Sequence, residues 1–388
     1  MTPQTRWFSV CARYPRRADA ALMAVSRRTR HVVVAMAVLL CAVVGLHDVP
    51  SAYVDFSGWP VLSHIQHRGS YGSDTLSDMY VARVILNDVT DMYTKSRVAQ
   101  TPQEAATWTR RESGPYPPAA LLSMAGLYAI GERTGLGFYG SILGLAVLFV
   151  LSSAIYCLMT RWYVFPLMCV NASYLSDRFV AIQDNSYLVM LTVVMAALFL
   201  ARARHPATHA AMAVAICMKL SPLAYLRHLP AMTRRMAALV IAVVVAGLVL
   251  PFFVWDDYLY IYEFHTQRKG NDWLDLAGSL LVVVPFTIVM WKVDRLATFD
   301  MEDRVGWGMV PLALLIALTM NAPRHLILVL LVPDKRAART VAGTAGLALH
   351  QAGLIPFGAV TYVATALLFL VLACYMAGSA GTRLDHPQ

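Results

Sequence analysis

A chain that is almost entirely a succession of apolar segments can fold only where those segments are covered by lipid or by one another. In this chain the succession is interrupted at length once, directly after its first member, by a polar stretch from His47 to Pro115. That stretch carries six Lys or Arg against eight Asp or Glu and is too long to be a connector. A membrane protein that keeps such an excursion beside its helices uses it for chemistry or binding at that membrane face.

Composition enters here as an exclusion. With 58% hydrophobic and 14% charged residues among 388, the sequence predicts an all-α polytopic membrane helix bundle and leaves no room for a soluble domain of ordinary size. About nine to twelve apolar segments are expected, some of them re-entrant. The net charge of +9 sits in the N-terminal arm and in short links between apolar runs, which is a topology signal and not a nucleic-acid patch. Of the six cysteines (Cys11, Cys41, Cys157, Cys169, Cys217, Cys374), five lie in apolar runs, where a thiol behaves as a small hydrophobe. The excursion has none, so neither a disulfide framework nor a thiolate metal site is expected there.

Residues 1–30 hold Arg6, Arg13, Arg16, Arg17, Arg27, Arg28 and Arg30 against Asp19, and an apolar run follows over 31–47. No small-residue cleavage pattern follows Leu46, so the reading is a basic cytoplasmic arm and a retained signal-anchor helix. The external loop then spans 48–115, the helix bundle 116–377 and a cytoplasmic tail 378–388. Inside the loop, Tyr80, Val81, Val84, Ile85, Val89 and Met92 recur at helical spacing, predicting an amphipathic helix lying in the interface.

Basic clusters mark the inner side: Arg202 with Arg204, Arg227 with Arg234 and Arg235, and Lys335 with Arg336 and Arg339. The run 207–226 has cytoplasmic-looking flanks at both ends and is broken at Lys219, Ser221 and Pro222. It reads as two short helices that rise and return, with Lys219 near the turn. Of the runs 117–131, 138–160, 163–175 and 186–200, one must be re-entrant or interfacial, and the short, proline-headed 117–131 is the choice. The run 236–254 crosses outward, the acidic loop from Trp255 to Asp275 lies outside, and 276–291 returns. A second break, Asn321 to His325, points outward between 305–320 and 326–333.

On this topology five polar groups share one membrane face: Asp74 with Asp78, Tyr116, Gln183 with Asn185, Lys219, and Arg324 with His325. Together they hold what sugar transfer from a lipid phosphate needs. A carboxylate accepts the acceptor hydroxyl's proton. Cations and imidazole balance charge on a departing phosphate, and amides hold sugar hydroxyls. Each group also has a plainer use. Ser73 and Asp74 suit a helix N-cap, Tyr116-Pro117-Pro118 sets a helix entry, and Gln183 and Asn185 suit the start of a helix at Ser186. Lys219 could snorkel, and Arg324 with His325 could anchor at the interface. The acidic loop residues Asp256, Asp257, Glu263, His265, Asp272 and Asp275 match no standard metal-ligand spacing. No Walker A, dinucleotide-binding or His-Glu-x-x-His pattern occurs, which argues against direct use of a nucleotide sugar.

From about Gly69 to Pro333 the sequence resembles the polyprenyl-phosphate-sugar-dependent membrane glycosyltransferases of the GT-C class, most closely the bacterial alpha-mannosyltransferase family GT87. The resemblance is carried by Asp74, Tyr80, Ala82 and Tyr93, then Tyr116-Pro117-Pro118, Gln183 and Asn185, Lys219 with Pro222, and Pro323 with His325. It implies an inverting transfer of a sugar, with mannose expected, from polyprenyl phosphate to a lipid-linked or cell-envelope glycan. The implied catalytic base is Asp74, with Asp78 the alternative. Tyr116, Gln183, Asn185, Lys219, Arg324 and His325 would bind substrate, with no metal and no cofactor beyond the lipid-linked donor itself. The expected partners are that donor, a glycolipid or glycan acceptor and membrane lipids, and not nucleic acid. The expected location is the cytoplasmic membrane, multi-pass, with the site facing the non-cytoplasmic side. Ile182 stands where the family has Gly before the Gln, the aromatic pair expected shortly after the Asp is reduced to Tyr80, and one late His stands where two are usual. The rival class is a transporter or lipid-binding scaffold whose broken helices line a path.

Overall fold

A computed structural model describes residues 21–48, 73–89, 116–170, 185–255, 258, 300–306 and 308–309. The described residues are helical throughout their ordered elements, with no strand among them. The predicted site residues Gln183, Arg324 and His325 lie outside these residues, as do most of the excursion, the acidic loop beyond Trp255 apart from Tyr258, and the apolar runs 276–291 and 326–333.

Helix α1, Arg27–Asp48, starts where Ser26 Oγ accepts the Thr29 N–H at 3.2 Å, an N-cap that releases the chain from the basic arm into the apolar run. Val34, Ala37 and Cys41 form its buried stripe, while Met36, Leu39, Leu40 and Val43 remain exposed. That stripe is narrow and packs on α4 and α5. Helix α2, Ser73–Asn87, lies along α3. Its buried positions are Asp78, Val81, Ala82 and Ile85, whose spacing defines one helical face. A helix is therefore present where the spacing placed one, but it begins earlier, ends at Asn87 and turns a face that includes a carboxylate onto its neighbour. Val89, counted in the apolar stripe by sequence, is exposed.

Pro117 and Pro118 set the entry to α3, Pro118–Thr134: Pro117 is extended and Pro118 occupies the first turn, where its missing N–H costs nothing. The 17-residue helix ends at Gly135, whose φ of 73° closes the helix in the left-handed region open to glycine. Gly131 lies so close to the Gly137 carbonyl and Ser141 Oγ that a Cβ there would collide with backbone, which fixes the approach of α3 to α4. Helix α4 is Gly137–Met159, and α5 is the short Val164–Val170.

Helix α6, Asn185–Arg202, is the centre of the assembly and packs against α3, α4 and α7. It runs about 27 Å at 1.5 Å per residue, and 67% of its apolar window is buried by protein, against 17% for the segment Arg234–Val254. Helix α7, Ala207–Met218, follows after a tight link in which Arg204 takes φ 53°. Lys219 then adopts an extended conformation, and a 3-10 helix spans Ser221–Ala231, headed by Pro222 and interrupted by Pro230. Tyr225 on this 3-10 helix reaches back to His209 on α7, so the chain reverses at Lys219. Thr233 Oγ1 accepts the Met236 N–H at 3.4 Å to start α8, Arg234–Leu248, and α9, Pro251–Val254, continues it after a break.

Among the described residues Gly137–Met159, Asn185–Arg202 and Arg234–Val254 are long and apolar enough to cross a membrane, which points to membrane association. The two ends of the assembly differ in character. At one end Arg202 pairs with Glu302 at 3.3 Å and donates to the Met159 carbonyl, while Trp162 Nε1 donates to Leu22 of the N-terminal arm at 3.2 Å. At the end of α2, Trp255 Nε1 donates to the Val89 carbonyl at 3.3 Å, joining the excursion to the start of the acidic loop.

Candidate functional site

The site forms at the N-terminal end of α6, opposite the Arg202 end. Asn185 is the first residue of the helix, and its Nδ2 donates to Asp78 Oδ2 at 2.8 Å across to α2. Both side chains are buried, at 1% and 5% exposure, so the carboxylate is held by an amide in a place water barely reaches. A hydrogen bond to a charged acceptor is worth roughly 1.5–3 kcal/mol, and losing its partner costs more when the carboxylate is buried. The other end of the same amide is unspent: Asn185 Oδ1 is buried and has no hydrogen-bond partner among the described residues. The sequence offers Asn185 both as a substrate-binding residue and as one suited to starting the helix. It does begin the helix, and its Nδ2 is bonded to Asp78.

The next residue of α6 contacts the cation. Lys219 Nζ lies 3.5 Å from the buried Ser186 Oγ. It also stands 5.3 Å from the Tyr116 ring centroid and 5.2 Å from that of Tyr187. An ammonium between two ring faces is stabilised by the ring quadrupoles, by about 0.5–2 kcal/mol per face depending on desolvation. The local fold dictates this placement. Helix α7 ends at Met218, and Lys219 adopts an extended conformation before Ser221 and Pro222 open the 3-10 helix. Tyr116 is placed by the Pro-Pro entry to α3, which packs on both α6 and α7.

Asp78, Tyr116, Asn185 and Lys219 are thus brought together from four separate segments, with Ser186 and Tyr187 completing the group. Asp74 lies one turn before Asp78 on α2, at a spacing that shares a helix face. Ser186 and Tyr187 were not singled out by sequence. Their signal is local: they follow Asn185 in the first turn of a helix whose polar start faces the lysine.

A second buried polar group, also missed by sequence, lies farther down the same reversal. His209 Nδ1 and Tyr225 Oη are 2.7 Å apart, and Tyr225 packs edge-on to His228 at 5.6 Å between ring centroids. Arg227 Nε donates to His228 Nε2 at 3.3 Å. Burial, with Arg227, Arg304 and His209 nearby, pushes the His228 imidazole down to about 3, so it is neutral at pH 7 and able to accept that bond. Tyr225 also packs against Gly308, where a Cβ would come within 2.9 Å of its side chain. The spacing His209, Tyr225, His228 in a run with cytoplasmic-looking flanks was the available clue.

No group of three or more His, Cys, Asp or Glu that could hold a metal ion occurs among the described residues. Compared with known proteins, the chain matches no family model, no curated sequence and no solved structure.

Proposed function

We propose that this chain is an integral membrane glycosyltransferase of GT-C type. It moves a sugar, with mannose the expected one, from polyprenyl phosphate to a lipid-linked or cell-envelope glycan on the non-cytoplasmic side of the cytoplasmic membrane. The observation that supports this reading is a buried carboxylate held by an amide, next to an ammonium held between two tyrosines, all at one end of α6.

Asp78 takes the proton of the acceptor hydroxyl as that oxygen attacks the anomeric carbon. The bond from that carbon to the phosphate oxygen breaks on the opposite face, and its electron pair leaves with the phosphate. Configuration is inverted. Lys219 compensates the charge left on the phosphate, and Arg324 and His325 join it on the strength of the family resemblance. Polyprenyl phosphate leaves without protonation, so no dedicated general acid is required. Asn185 orients Asp78 through Nδ2 and offers Oδ1 to a substrate hydroxyl, with Gln183 as its expected companion. Asp78 is preferred to Asp74 as base because Asn185 fixes its carboxylate.

The test is transfer of radiolabelled mannose from synthetic polyprenyl-phosphate-mannose into lipid extract by membranes carrying the chain or its Asp78→Asn or Asp74→Asn variant, at matched expression. Incorporation lost with Asp78→Asn and kept with Asp74→Asn supports the assignment. The reverse pattern moves the base to Asp74, and incorporation unaffected by either removes the carboxylate mechanism. No incorporation by the unmodified chain favours the transporter or lipid-binding reading, in which the break at Lys219 lines a path.

A further inference from the structure

Among the described residues, helix α1 buries the narrow stripe Val34, Ala37 and Cys41, and the last of these meets a second cysteine. Cys41 Sγ lies 3.1 Å from Cys169 Sγ on α5, across 128 residues of sequence. Both side chains are buried, at 4% and 1% exposure. The other described thiols are placed differently: Cys217 Sγ donates to the Val243 carbonyl at 3.4 Å, and Cys157 lies buried within α4. We propose that Cys41 and Cys169 form a disulfide that staples the first helix to the helical assembly.

The geometry requires little movement, because the two sulfurs already face each other between helices that pack together. Position favours it as well. Cys41 is seven residues from Asp48, about 10 Å along the helix from the end that leads into the excursion. An oxidant protein carrying a disulfide can reach it from that side before α1 has docked. The Cys41 thiolate attacks that disulfide, giving a mixed disulfide and one carrier thiol. The Cys169 thiolate then attacks Cys41 Sγ and releases the second carrier thiol. Two protein thiols become one disulfide, and the carrier's disulfide takes up the two electrons and two protons as a dithiol. Once α1 packs, burial of both sulfurs shields the bond from reductants. A bond closing so long a loop restricts the unfolded chain strongly, and it fixes a helix whose buried stripe among the described residues is narrow.

The experiment uses the full-length protein, denatured directly from cells in excess N-ethylmaleimide, then reduced and labelled with an isotopically heavy maleimide before peptide mass mapping. The expected result is heavy label on Cys41 and Cys169, with at most about a tenth of either blocked before reduction. Unreduced digests should contain one cross-linked peptide pair joining these two positions. Cys41→Ser should expose Cys169 to the first reagent, and Cys169→Ser should expose Cys41. Light label on both cysteines of the unmodified protein, or heavy label on a different pair, overturns the proposal. The mapping needs no variant to fold, and it is independent of transferase activity.

Discussion

The reversal at Lys219 carries a buried polar group on each side, and the two are built on opposite plans. Near the turn, Asp78, Asn185, Ser186 and Lys219 combine a carboxylate, an amide, a hydroxyl and an ammonium, with two tyrosine rings as the cation's walls. Farther down, His209, Tyr225, His228 and Arg227 form a chain in which neutral imidazoles and a phenol answer one another. In the first, Asn185 Oδ1 has no hydrogen-bond partner among the described residues; in the second, His209 pairs with Tyr225 and Arg227 with His228. Polar groups in an apolar setting are costly, and they persist where they either satisfy each other or serve a ligand. On the proposed function, the first group serves chemistry and the second holds the reversal together.

The sharpest way to break that division is to remove charge where chemistry is assigned. Asp78→Asn keeps the shape and a hydrogen-bonding partner for Asn185 but cannot accept a proton. Sugar transfer should fall on the order of 10²-fold or more, with little change in thermal midpoint, as read by radiolabel incorporation and by melting in detergent. Lys219→Met keeps the length of the side chain between Tyr116 and Tyr187. It should cost about tenfold or more in transfer, because compensation of the departing phosphate is lost. Equal activity in both variants would leave the two groups indistinguishable in role.

How much of this was legible depends on what each residue does to an apolar pattern. Lys219, Asn185 and Asp78 stand out because an ammonium, an amide and a carboxylate each interrupt hydropathy. A lysine followed by Ser221 and Pro222 announced the break before any geometry was known. His209, Tyr225 and His228 disturb the pattern too little to be noticed, since each presents an apolar body with one polar atom. The stripe of α2 was legible in part. Val81 and Ile85, in the predicted set, are buried, whereas Val89 is exposed and the buried face also takes in Asp78 and Ala82. A buried carboxylate breaks the rule by which faces are read, and only its partner, a hundred residues away, restores it.

The second group should respond to acid where the first responds to substitution. His228 lies between Leu220 and Met232, outside the three long apolar helices. In the folded protein its imidazole is held down to about 3 from an ordinary 6.5, by burial first and then by Arg227, Arg304 and His209. The unfolded chain takes up a proton as pH falls through 6.5, and the folded chain does not until about 3. The stabilisation is therefore fully present above 6.5 and is lost progressively as pH falls toward 3. Thermal midpoints of the detergent-solubilised protein should decline between pH 7 and pH 4, and His228→Gln should flatten that decline. A slope unchanged by the substitution would place the acid sensitivity elsewhere.

The smallest expected effect probes the same group by one atom. Tyr225 is fully buried, and its hydroxyl lies 2.7 Å from His209 Nδ1. Tyr225→Phe removes that hydroxyl without opening a cavity around the ring, which Gly308 and His228 still pack. What remains is an imidazole nitrogen deprived of its partner in a buried place, a loss of about 1 kcal/mol in net hydrogen bonding and more if the nitrogen stays dry. The melting midpoint should drop by a few degrees at most, and sugar transfer by the folded protein should stay within about twofold, since Lys219 is held by α3 and α6 as well as by the reversal. A large loss of transfer with an unchanged midpoint would mean that the hydroxyl communicates with the site through the 3-10 helix. The two groups would then be parts of one device, joined by the seven residues from Lys219 to Tyr225.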